Sequence, residues 1–440
     1  MPDDINLAII GAGRHGRDLL NYCLDIPGVR FKAVCDIWPY AQKYAAGILK
    51  KRGQPVSVYE DYREMLAKEK DLDAVIIATP DSFHAAQTIA CLKAKLHVYC
   101  EKEMATTVED ARNVVRAARE ARRLLQIGRQ HRSNPRYHTA LEYIYEKKAI
   151  GRIMSVYGQW HGHKRVPYTW PESQTIPAET LRRYGYDSMS EHRNWRWLEK
   201  FSAGEIVNLA AHQIDVFNWF LHATPKAVMA NGGLDMYDFF ELYDNATCFF
   251  EWDFEWEGKT KTVRGVHNTL TWTDDGGFYE MFAGDAGALA ISENTNVGGM
   301  RLSELAPKGQ WQKDVPGIGF YEKIWERIPK SALIVVGPSV YIPEFFRLTL
   351  DKPRQFPWDA FSGTTSWWFD RYYPPFPSAG DDRPPHWYHL KNFFDAIRGD
   401  WGLNCSAEVG FQTCISALKA VEAMKTGRRI ELAPKDFVVE

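Results

Sequence analysis

A chain of 440 residues is too long for one compact hydrophobic core, so its length predicts two domains. The net charge of −2 argues against a nucleic-acid-binding or membrane-surface protein, because both classes carry a basic excess. The seven scattered cysteines lack a CxxC pair, which predicts reduced thiols in a cytoplasmic protein and neither a disulfide framework nor a zinc site. We expect no signal peptide before the first strand, and no apolar run approaches the length of a membrane span.

The chain opens with an apolar segment that leads into a glycine motif. Residues 5–10 predict a strand, which is followed by Gly11-x-Gly13-x-x-Gly16 and a helix over 17–24. Gly11 permits a tight turn, Gly13 leaves space for a pyrophosphate, and Gly16 lets the helix pack close to the strand. The N–H groups at the start of that helix then face the pyrophosphate. The motif therefore predicts a dinucleotide site.

The second predicted strand, 31–36, ends in an acidic residue 20 positions after the last glycine. The carboxylate of Asp36 can accept hydrogen bonds from both hydroxyls of an adenosine ribose, and it repels a 2′-phosphate. A 2′-phosphate needs an arginine close to this strand end, but the next two residues are Ile37 and Trp38. The predicted cofactor is therefore NAD rather than NADP.

Three more apolar segments, 73–79, 96–100 and 124–127, predict further parallel strands. A capping box at Thr106–Glu109 predicts the start of the helix between the last two of them. Residues 1–128 are thus expected to form an α/β domain with a doubly wound parallel sheet and right-handed crossovers.

From residue 129 the pattern changes, and a second domain is expected over 129–440. Its predicted helices lie at 137–148, 208–221 and 409–425. Its predicted strands lie at 153–160, 227–231, 247–255, 262–266, 270–272 and 288–292. This mixture predicts an α+β domain on a mainly antiparallel open sheet. Residues 300–385, rich in proline and aromatic residues, are interpreted as an insertion that covers a pocket or a subunit contact.

Lys102 closely follows the strand that ends at Cys100. Ligands of open parallel sheets bind beyond the carboxyl ends of the strands, so Lys102 is predicted to lie where a nicotinamide or substrate binds. Thr79 and Pro80 occupy the equivalent place one strand earlier, and His84 either joins them or only begins a helix. The residues expected to bind the cofactor are Gly11, Gly13, Arg14, His15, Gly16, Asp36, Thr79, Pro80, His84, Glu101, Lys102 and Gln130.

Asn208, His212 and Asp215 lie at i, i+4 and i+7 of a predicted helix and therefore share one face. Such a polar row is either a hydrogen-bond network or part of an active site. A histidine beside a nicotinamide suits alcohol oxidation, because it can accept the hydroxyl proton as hydride leaves the same carbon.

These motifs together resemble the Gfo/Idh/MocA oxidoreductases, which are named after glucose–fructose oxidoreductase and inositol dehydrogenase. The motifs are GAGRHG, Ala78-Thr79-Pro80 with His84, Glu101-Lys102, and Gly204 followed by His212-x-x-Asp215. The resemblance implies a Rossmann domain and an α/β C-terminal domain whose open sheet forms dimers or tetramers. It also implies sugar or cyclitol substrates and catalytic roles for Lys102 and His212.

Two positions depart from the family's pattern. Glu103 replaces the proline of its Glu-Lys-Pro motif, and Asn208 replaces an aspartate four residues before the histidine. Asn208 can hydrogen-bond a substrate but cannot act as a base. We therefore expect His212 to carry the proton, oriented by Asp215, while Lys102 lowers the barrier electrostatically.

Two segments that mix basic and aromatic side chains, 160–165 and 191–197, are expected to flank the cleft. Fifteen of the sixteen tryptophans follow residue 150, which suits either sugar platforms or a tryptophan-rich core or interface. The residues expected to bind substrate are Trp160, His161, Arg165, Arg193, Trp195 and Asp215. The Asn-Trp-Arg-Trp run at 194–197 is also similar to NAD-dependent glycosidases of the same superfamily, which oxidise C3 transiently and eliminate the aglycone.

The leading hypothesis is an NAD-dependent dehydrogenase acting on a secondary hydroxyl, such as C3, of a sugar, glycoside or cyclitol. One alternative is a glycoside hydrolase that keeps NAD bound and recycles it. Another, from a different class, is a non-catalytic NAD-binding or scaffold protein, which the asparagine at 208 keeps open. The expected partners are a small carbohydrate and further copies of the chain, without metal, nucleic acid or membrane.

Overall fold

The computed structural model describes residues 4–274, 276–294, 297–302, 334–336, 339–341 and 383–440. The insertion predicted at 300–385 therefore lies mostly outside the described residues. Within it, β14 (Ile334–Val336) and β15 (Ser339–Tyr341) pair as antiparallel strands. No helix in the described ranges is both long and apolar enough to cross a bilayer.

The first sheet is parallel and has six strands in the order β3-β2-β1-β4-β5-β6. The strands are β1 Ile5–Ile10, β2 Val29–Cys35, β3 Ser57–Tyr59, β4 Ala74–Ile77, β5 His97–Cys100 and β6 Leu125–Ile127. The helices that connect them are α1 Arg14–Leu24, α2 Pro39–Lys51, α3 Tyr62–Lys68, α4 Asp81–Lys93 and α5 Val108–Ala121. The doubly wound sheet is confirmed, and its strand order reverses between β1 and β4, where such sheets bind ligands.

Two local predictions in this part were wrong. Helix α1 begins at Arg14 rather than at residue 17, because Gly13 is its N-cap and the motif's last three residues are already helical. Helix α5 is capped by Thr107, whose hydroxyl accepts a hydrogen bond from the Asp110 N–H at 3.1 Å, and not by Thr106.

The second sheet has eight strands in the order β13-β12-β11-β7-β10-β9-β8-β16. They are β7 Ile153–His161, β8 Pro225–Gly233, β9 Asn245–Trp256, β10 Lys259–Leu270, β11 Phe278–Gly284, β12 Gly287–Ile291, β13 Gly298–Leu302 and β16 Ile430–Glu431. Every pair of neighbours is antiparallel except β7 and β10. Strand β10 continues through buried His267 and Thr269, whose polarity led the sequence pattern to break it into two strands. Strand β11 was missed for a similar reason, since its Glu280 is fully buried.

The remaining helices pack around and between the two sheets. They are α6 Pro135–Tyr145, α7 Ala178–Arg183, α8 Met189–Asn194, α9 Ala211–Phe220, α10 Pro385–Arg398 and α11 Ala407–Thr426, with a π-helical turn at Ile206–Ala210 before α9. Short 3-10 turns lie at Gln130–Ser133, Glu172–Gln174, Trp195–Trp197 and Pro434–Phe437. Helix α9 crosses the second sheet closely, because a Cβ at Gly158 would lie 2.8 Å from Phe217.

Helices α10 and α11 return from the far end of the chain to the first sheet. Leu390, Phe393 and Phe394 of α10 belong to the same apolar cluster as the residues of β1. A Cβ at Gly410 of α11 would lie 2.4 Å from a side-chain atom of Ile127 in β6, so glycine permits that approach. The core of the first sheet therefore depends on residues more than 250 positions after its last strand.

Candidate active site

A cleft of about 860 Å³ opens beyond the carboxyl ends of the first sheet's strands. It is closed on the other side by residues between β7 and α9 and by the start of α10. The predicted site residues that line it are Gly11, Gly13, Arg14, His15, Asp36, Thr79, Pro80, Glu101, Lys102, Gln130, Trp160, Arg165, Arg193, Trp195, Asn208 and His212. The predicted residues outside its lining are Gly16, His84, His161 and Asp215.

The three glycines of the opening motif meet three different steric demands. Gly11 has φ +91°, and a Cβ there would lie 2.6 Å from the Ala78 carbonyl carbon. A Cβ at Gly16 would lie 2.0 Å from the Gly11 oxygen, so α1 packs directly on the turn. No described atom lies within 4 Å of a Cβ at Gly13, which faces the open cleft. This is the space that a pyrophosphate needs at a helix N-terminus.

Asp36 lies at the end of the cleft nearest the glycine turn. Its carboxylate accepts hydrogen bonds from the N–H groups of Ala12 and Trp38, both at 2.7 Å, which fixes its orientation. The guanidinium of Arg193 lies 4.8 Å from the centre of the Trp38 ring. Arg193, expected to bind substrate, therefore lies at the Asp36 end of the cleft, because α8 brings it over Trp38.

Lys102 connects the end of β5 to the π-helical turn. Its Nζ donates a hydrogen bond to the Asn208 carbonyl at 2.5 Å. Burial, and after it the Arg196 guanidinium, lower the pKa of Lys102 to about 8. Glu103, which stands in place of the family's proline, forms a buried ion pair with Arg129, and the Lys102–Glu103 peptide is cis.

His84 was expected at the cofactor but holds two loops together instead. Its Nδ1 donates to the Glu103 carbonyl at 2.6 Å and its Nε2 to the Thr79 carbonyl at 2.7 Å. Burial opposes the charged ring, but Cys100 and Asp81 raise the pKa of His84 to about 9. His84 therefore joins the loop after β4 to the loop after β5, beneath the cleft.

His212 is nearly fully buried at the wall of the cleft. Burial, the Lys102 ammonium and His131 hold the pKa of His212 well below the usual range for histidine. The imidazole is consequently neutral near pH 7 and able to accept a proton. The side-chain amide of the neighbouring Asn208 donates to the Ser202 hydroxyl at 2.9 Å and accepts from Arg196 at 3.4 Å.

The prediction that Asp215 orients His212 and binds substrate was wrong. The Asp215 carboxylate pairs with Arg132 at 2.7 and 3.0 Å and accepts a hydrogen bond from Thr413 at 2.6 Å. The π-helical turn before α9 is wider than an α-helical turn, so the seven-residue spacing does not align Asp215 with Asn208. Asp215 thus ties α9 to α11.

His161 was also expected in the cleft. Its Nε2 hydrogen-bonds the Asn268 side chain at 2.7 Å, on strand β10. Successive side chains of a strand point to opposite faces, so Trp160 faces the cleft and His161 does not.

Asp81, Arg196, Glu205 and His386 also line the cleft, although they were not among the predicted site residues. Asp81 and Glu205 are buried, and burial raises the pKa of both carboxyl groups. Asp81 directly follows Thr79-Pro80, at the strand end where ligand-binding residues are expected. His386 comes from α10, and no local signal links it to the first sheet.

Glu101, predicted at the cofactor, pairs with His15 at 3.1 Å. Although burial opposes its charge, His15, His386 and Lys102 hold the pKa of Glu101 well below the usual range. Ligand atoms of Glu101, His15 and His386 lie within 4.8 Å of one another, a spacing that also suits a metal ion. We interpret the group as an ion pair beside the glycine turn.

Two family models match the chain. The oxidoreductase family with an NAD-binding Rossmann fold, GFO_IDH_MocA, matches residues 5–129, and the GFO/IDH/MocA C-terminal domain matches residues 138–268. Together they span more than half of the 440 residues. The first model confirms the prediction of an NAD site.

Curated relatives match a shorter part of the chain. Inositol 2-dehydrogenase of Salmonella paratyphi B is 28% identical over 227 residues, which are 51% of this chain and 56% of the relative. Inositol 2-dehydrogenase of Mycolicibacterium smegmatis is 37% identical over 137 residues, 30% of this chain and 38% of the relative. The chain spans about half the length of the first of these relatives.

Solved structures are similar over nearly the whole chain. An aldose-aldose oxidoreductase from Caulobacter crescentus, complexed with glycerol, has a TM-score of 0.66 at 17% identity and covers 98% of this chain and 100% of its own. The WlbA dehydrogenase from Chromobacterium violaceum, in complex with NADH and UDP-GlcNAcA, has a TM-score of 0.63 at 20% identity, with 98% and 97% covered. These likenesses show the fold. With both family models matched in order, the chain belongs to the GFO/IDH/MocA family of NAD-binding oxidoreductases.

Proposed function

We propose that this protein is an NAD-dependent dehydrogenase that oxidises a secondary hydroxyl of a sugar, glycoside or cyclitol. The observation that carries the proposal is a neutral, buried histidine beside a half-buried lysine in the cleft that also holds the glycine turn. An alcohol loses a proton and a hydride on oxidation, and His212 is suited to take the proton. NAD, when bound along the glycine turn and Asp36, supplies the hydride acceptor.

The remaining groups have separate roles in this proposal. Lys102 stabilises the negative charge that develops on the substrate oxygen as its proton moves to His212. Asn208 offers an amide, held by Ser202 and Arg196, for a neighbouring hydroxyl. Trp160 lines the cleft with an apolar indole that can contact the C–H groups of a sugar ring. Arg165, which also lines the cleft, suits polar or acidic substituents.

A second candidate is a glycoside hydrolase that oxidises C3 transiently and keeps its NAD. The observation that favours it is the pair of buried carboxyl groups, Asp81 and Glu205, whose raised pKa values favour the protonated acid. A protonated carboxyl in the cleft can give its proton to a departing aglycone. The segment Asn194–Trp197, which resembles such glycosidases, lines the same cleft.

The test is to mix the protein with NAD and a panel of sugars, glycosides and cyclitols and to record absorbance at the NADH band. A dehydrogenase produces NADH in proportion to oxidised sugar. The hydrolase releases nitrophenol from aryl glycosides without net NADH. If the protein binds NAD and neither signal appears with any member of the panel, both proposals fail and a non-catalytic NAD-binding protein is supported.

We also propose that the outer face of the second sheet joins copies of the chain. The strand register aligns one residue from each of five adjacent strands in a single row, namely Met229, Phe249, Val266, Tyr157 and Met281. Helix α9 packs on the other face, against Gly158, so this row points away from it. An exposed apolar row across a sheet is typical of an interface.

Phe249→Lys places a charge in the middle of this row, where Phe249 is 47% exposed. We expect light scattering after size-exclusion chromatography to show an oligomer for the wild type and a monomer for F249K. Lys261→Glu on strand β10, away from the row, is the charge control. Equal masses for the wild type and F249K would contradict the proposed interface.

A further inference from the structure

His212 belongs to a continuous series of five aromatic rings, formed by Phe278, Trp160, His212, His131 and Tyr137. We call it the ring series. The centroid distances are 4.6 Å from Phe278 to Trp160, 5.5 Å from Trp160 to His212, 5.2 Å from His212 to His131, and 4.9 Å from His131 to Tyr137. The His131 and Tyr137 rings are nearly parallel, at 11°, and those of His212 and Trp160 are 28° apart.

The His212 ring is held differently from most catalytic histidines. A catalytic imidazole is usually oriented by a hydrogen bond at the nitrogen that faces away from the substrate. Nδ1 of His212 is buried and has no hydrogen-bond partner among the residues that the structure describes. Asp215, the carboxylate expected to orient it, pairs with Arg132 instead. Ring packing is therefore the restraint available to this side chain.

His131 in turn lies close to two carboxylates of the second sheet region. Its Nε2 lies 3.1 Å from Glu293, and its Nδ1 lies 3.8 Å from Glu280. The Tyr137 hydroxyl also donates a hydrogen bond to Glu280, at 2.7 Å. Burial opposes a charge on His131, but Glu293 and Glu280 raise the pKa of His131 above the ordinary value.

We propose that His131 and Trp160 are positioning residues for His212: their rings fix its orientation, and the charge of His131 favours its neutral form. The inference rests on the proposed function for the role of His212. The titratable groups that act on His212 are Lys102, His131, Arg129 and His386, and those that act on His131 are Glu293, Glu280 and Asp215. Each cation near His212 disfavours its protonation, and His131 is the one that also contacts its ring.

Two substitutions separate the ring of His131 from its charge. His131→Phe keeps a ring of similar shape and removes the charge, whereas His131→Leu removes both. His138→Phe is the matched control, because His138 follows on α6, is exposed, and packs on Trp219 outside the ring series. Thermal unfolding and NAD binding, the latter measured by fluorescence, establish that each variant is folded.

The pH titration of His212 is measured by NMR on protein labelled at histidine Cε1, with the signal assigned from His212→Gln. In H131F we expect its midpoint to move to higher pH, and the acid limb of kcat/KM to move with it, while kcat near pH 8 stays within about threefold of the wild type. In H131L the midpoint also rises, and kcat falls by about 10²-fold, the size expected when a catalytic group is misplaced by about 1 Å. H138F should match the wild type.

The proposal is overturned if folded H131F and H131L both leave the His212 midpoint and kcat unchanged. It is overturned equally if H131F and H131L lose kcat to the same extent, because the ring then contributes nothing. The titration does not require turnover. An inactive wild type therefore defeats the proposed function alone, and the His212 midpoint in H131F still decides whether His131 acts on it.

Discussion

His212→Asn should lower kcat for sugar oxidation by about 10²–10⁴-fold, the range attributed to a positioned general base. Asparagine is close to histidine in polarity and cannot take up the hydroxyl proton. Because the glycine turn lies on other elements, we expect NAD affinity to stay within about threefold. The measurement is the initial rate of NADH formation with the best substrate of the panel, together with NAD binding by fluorescence titration.

His161→Asn is the matched control for this substitution. His161 is adjacent to Trp160 in the chain, but it bonds Asn268 and lies outside the cleft lining. We expect kcat and KM of H161N to remain within about threefold of the wild type. If H212N keeps more than a tenth of the wild-type kcat at every pH, His212 is not the base.

Lys102→Met should lower kcat by about 10²–10³-fold, because it removes a half-buried cation from the place where charge develops on the substrate oxygen. The effect has a pH signature. The ammonium is present below the lowered pKa of about 8 and is lost as the pH rises through it. We therefore expect kcat/KM of the wild type to fall above about pH 8, and the residual rate of K102M to lack that decline.

Lys102→Arg separates charge from hydrogen-bond geometry. Arginine stays protonated throughout the accessible pH range, so the alkaline decline should disappear even where the longer side chain lowers the rate. The pH profile of K102R between pH 6 and 10 is the measurement. A decline near pH 8 that survives in both K102M and K102R would assign it to another group and remove the electrostatic role of Lys102.

Features that depend on a few neighbouring residues were predictable from the sequence. The glycine turn is one, because Gly11 and Gly16 are required by close backbone contacts within the turn and its neighbour, and Gly13 leaves open space for a ligand. The parallel strands are another, since β4 is buried and apolar throughout and reads directly as a covered strand. Lys102 and Thr79 followed from their positions at strand ends, a rule of topology that needs no side-chain detail.

The errors arose where the backbone leaves its regular period or where distant segments meet. The π-helical turn at 206–210 changed the face on which Asp215 lies, and no propensity argument signals such a turn. His131 lies on the 3-10 turn before α6 and Glu280 lies on β11, so their approach depends on tertiary packing. His386 reaches the cleft through α10, far along the chain from the glycine turn. Strands β10 and β11 were not fully predicted, because their buried polar residues interrupt the apolar pattern that indicates a strand.

The central claim, hydride exchange between a secondary carbon of a sugar ring and NAD bound in this cleft, is tested most directly with deuterium. The protein is incubated with NAD and ring-deuterated glycosides or inositol, and the cofactor is recovered for mass spectrometry. We predict one deuterium per reduced nicotinamide, and its loss in H212N. The dehydrogenase leaves the deuterium on the recovered cofactor, whereas the transient-oxidation hydrolase holds it there only during turnover and then returns it to the sugar, so samples are also quenched during turnover. A cofactor that binds, remains in the cleft and acquires no deuterium from any ring-deuterated substrate would contradict the account.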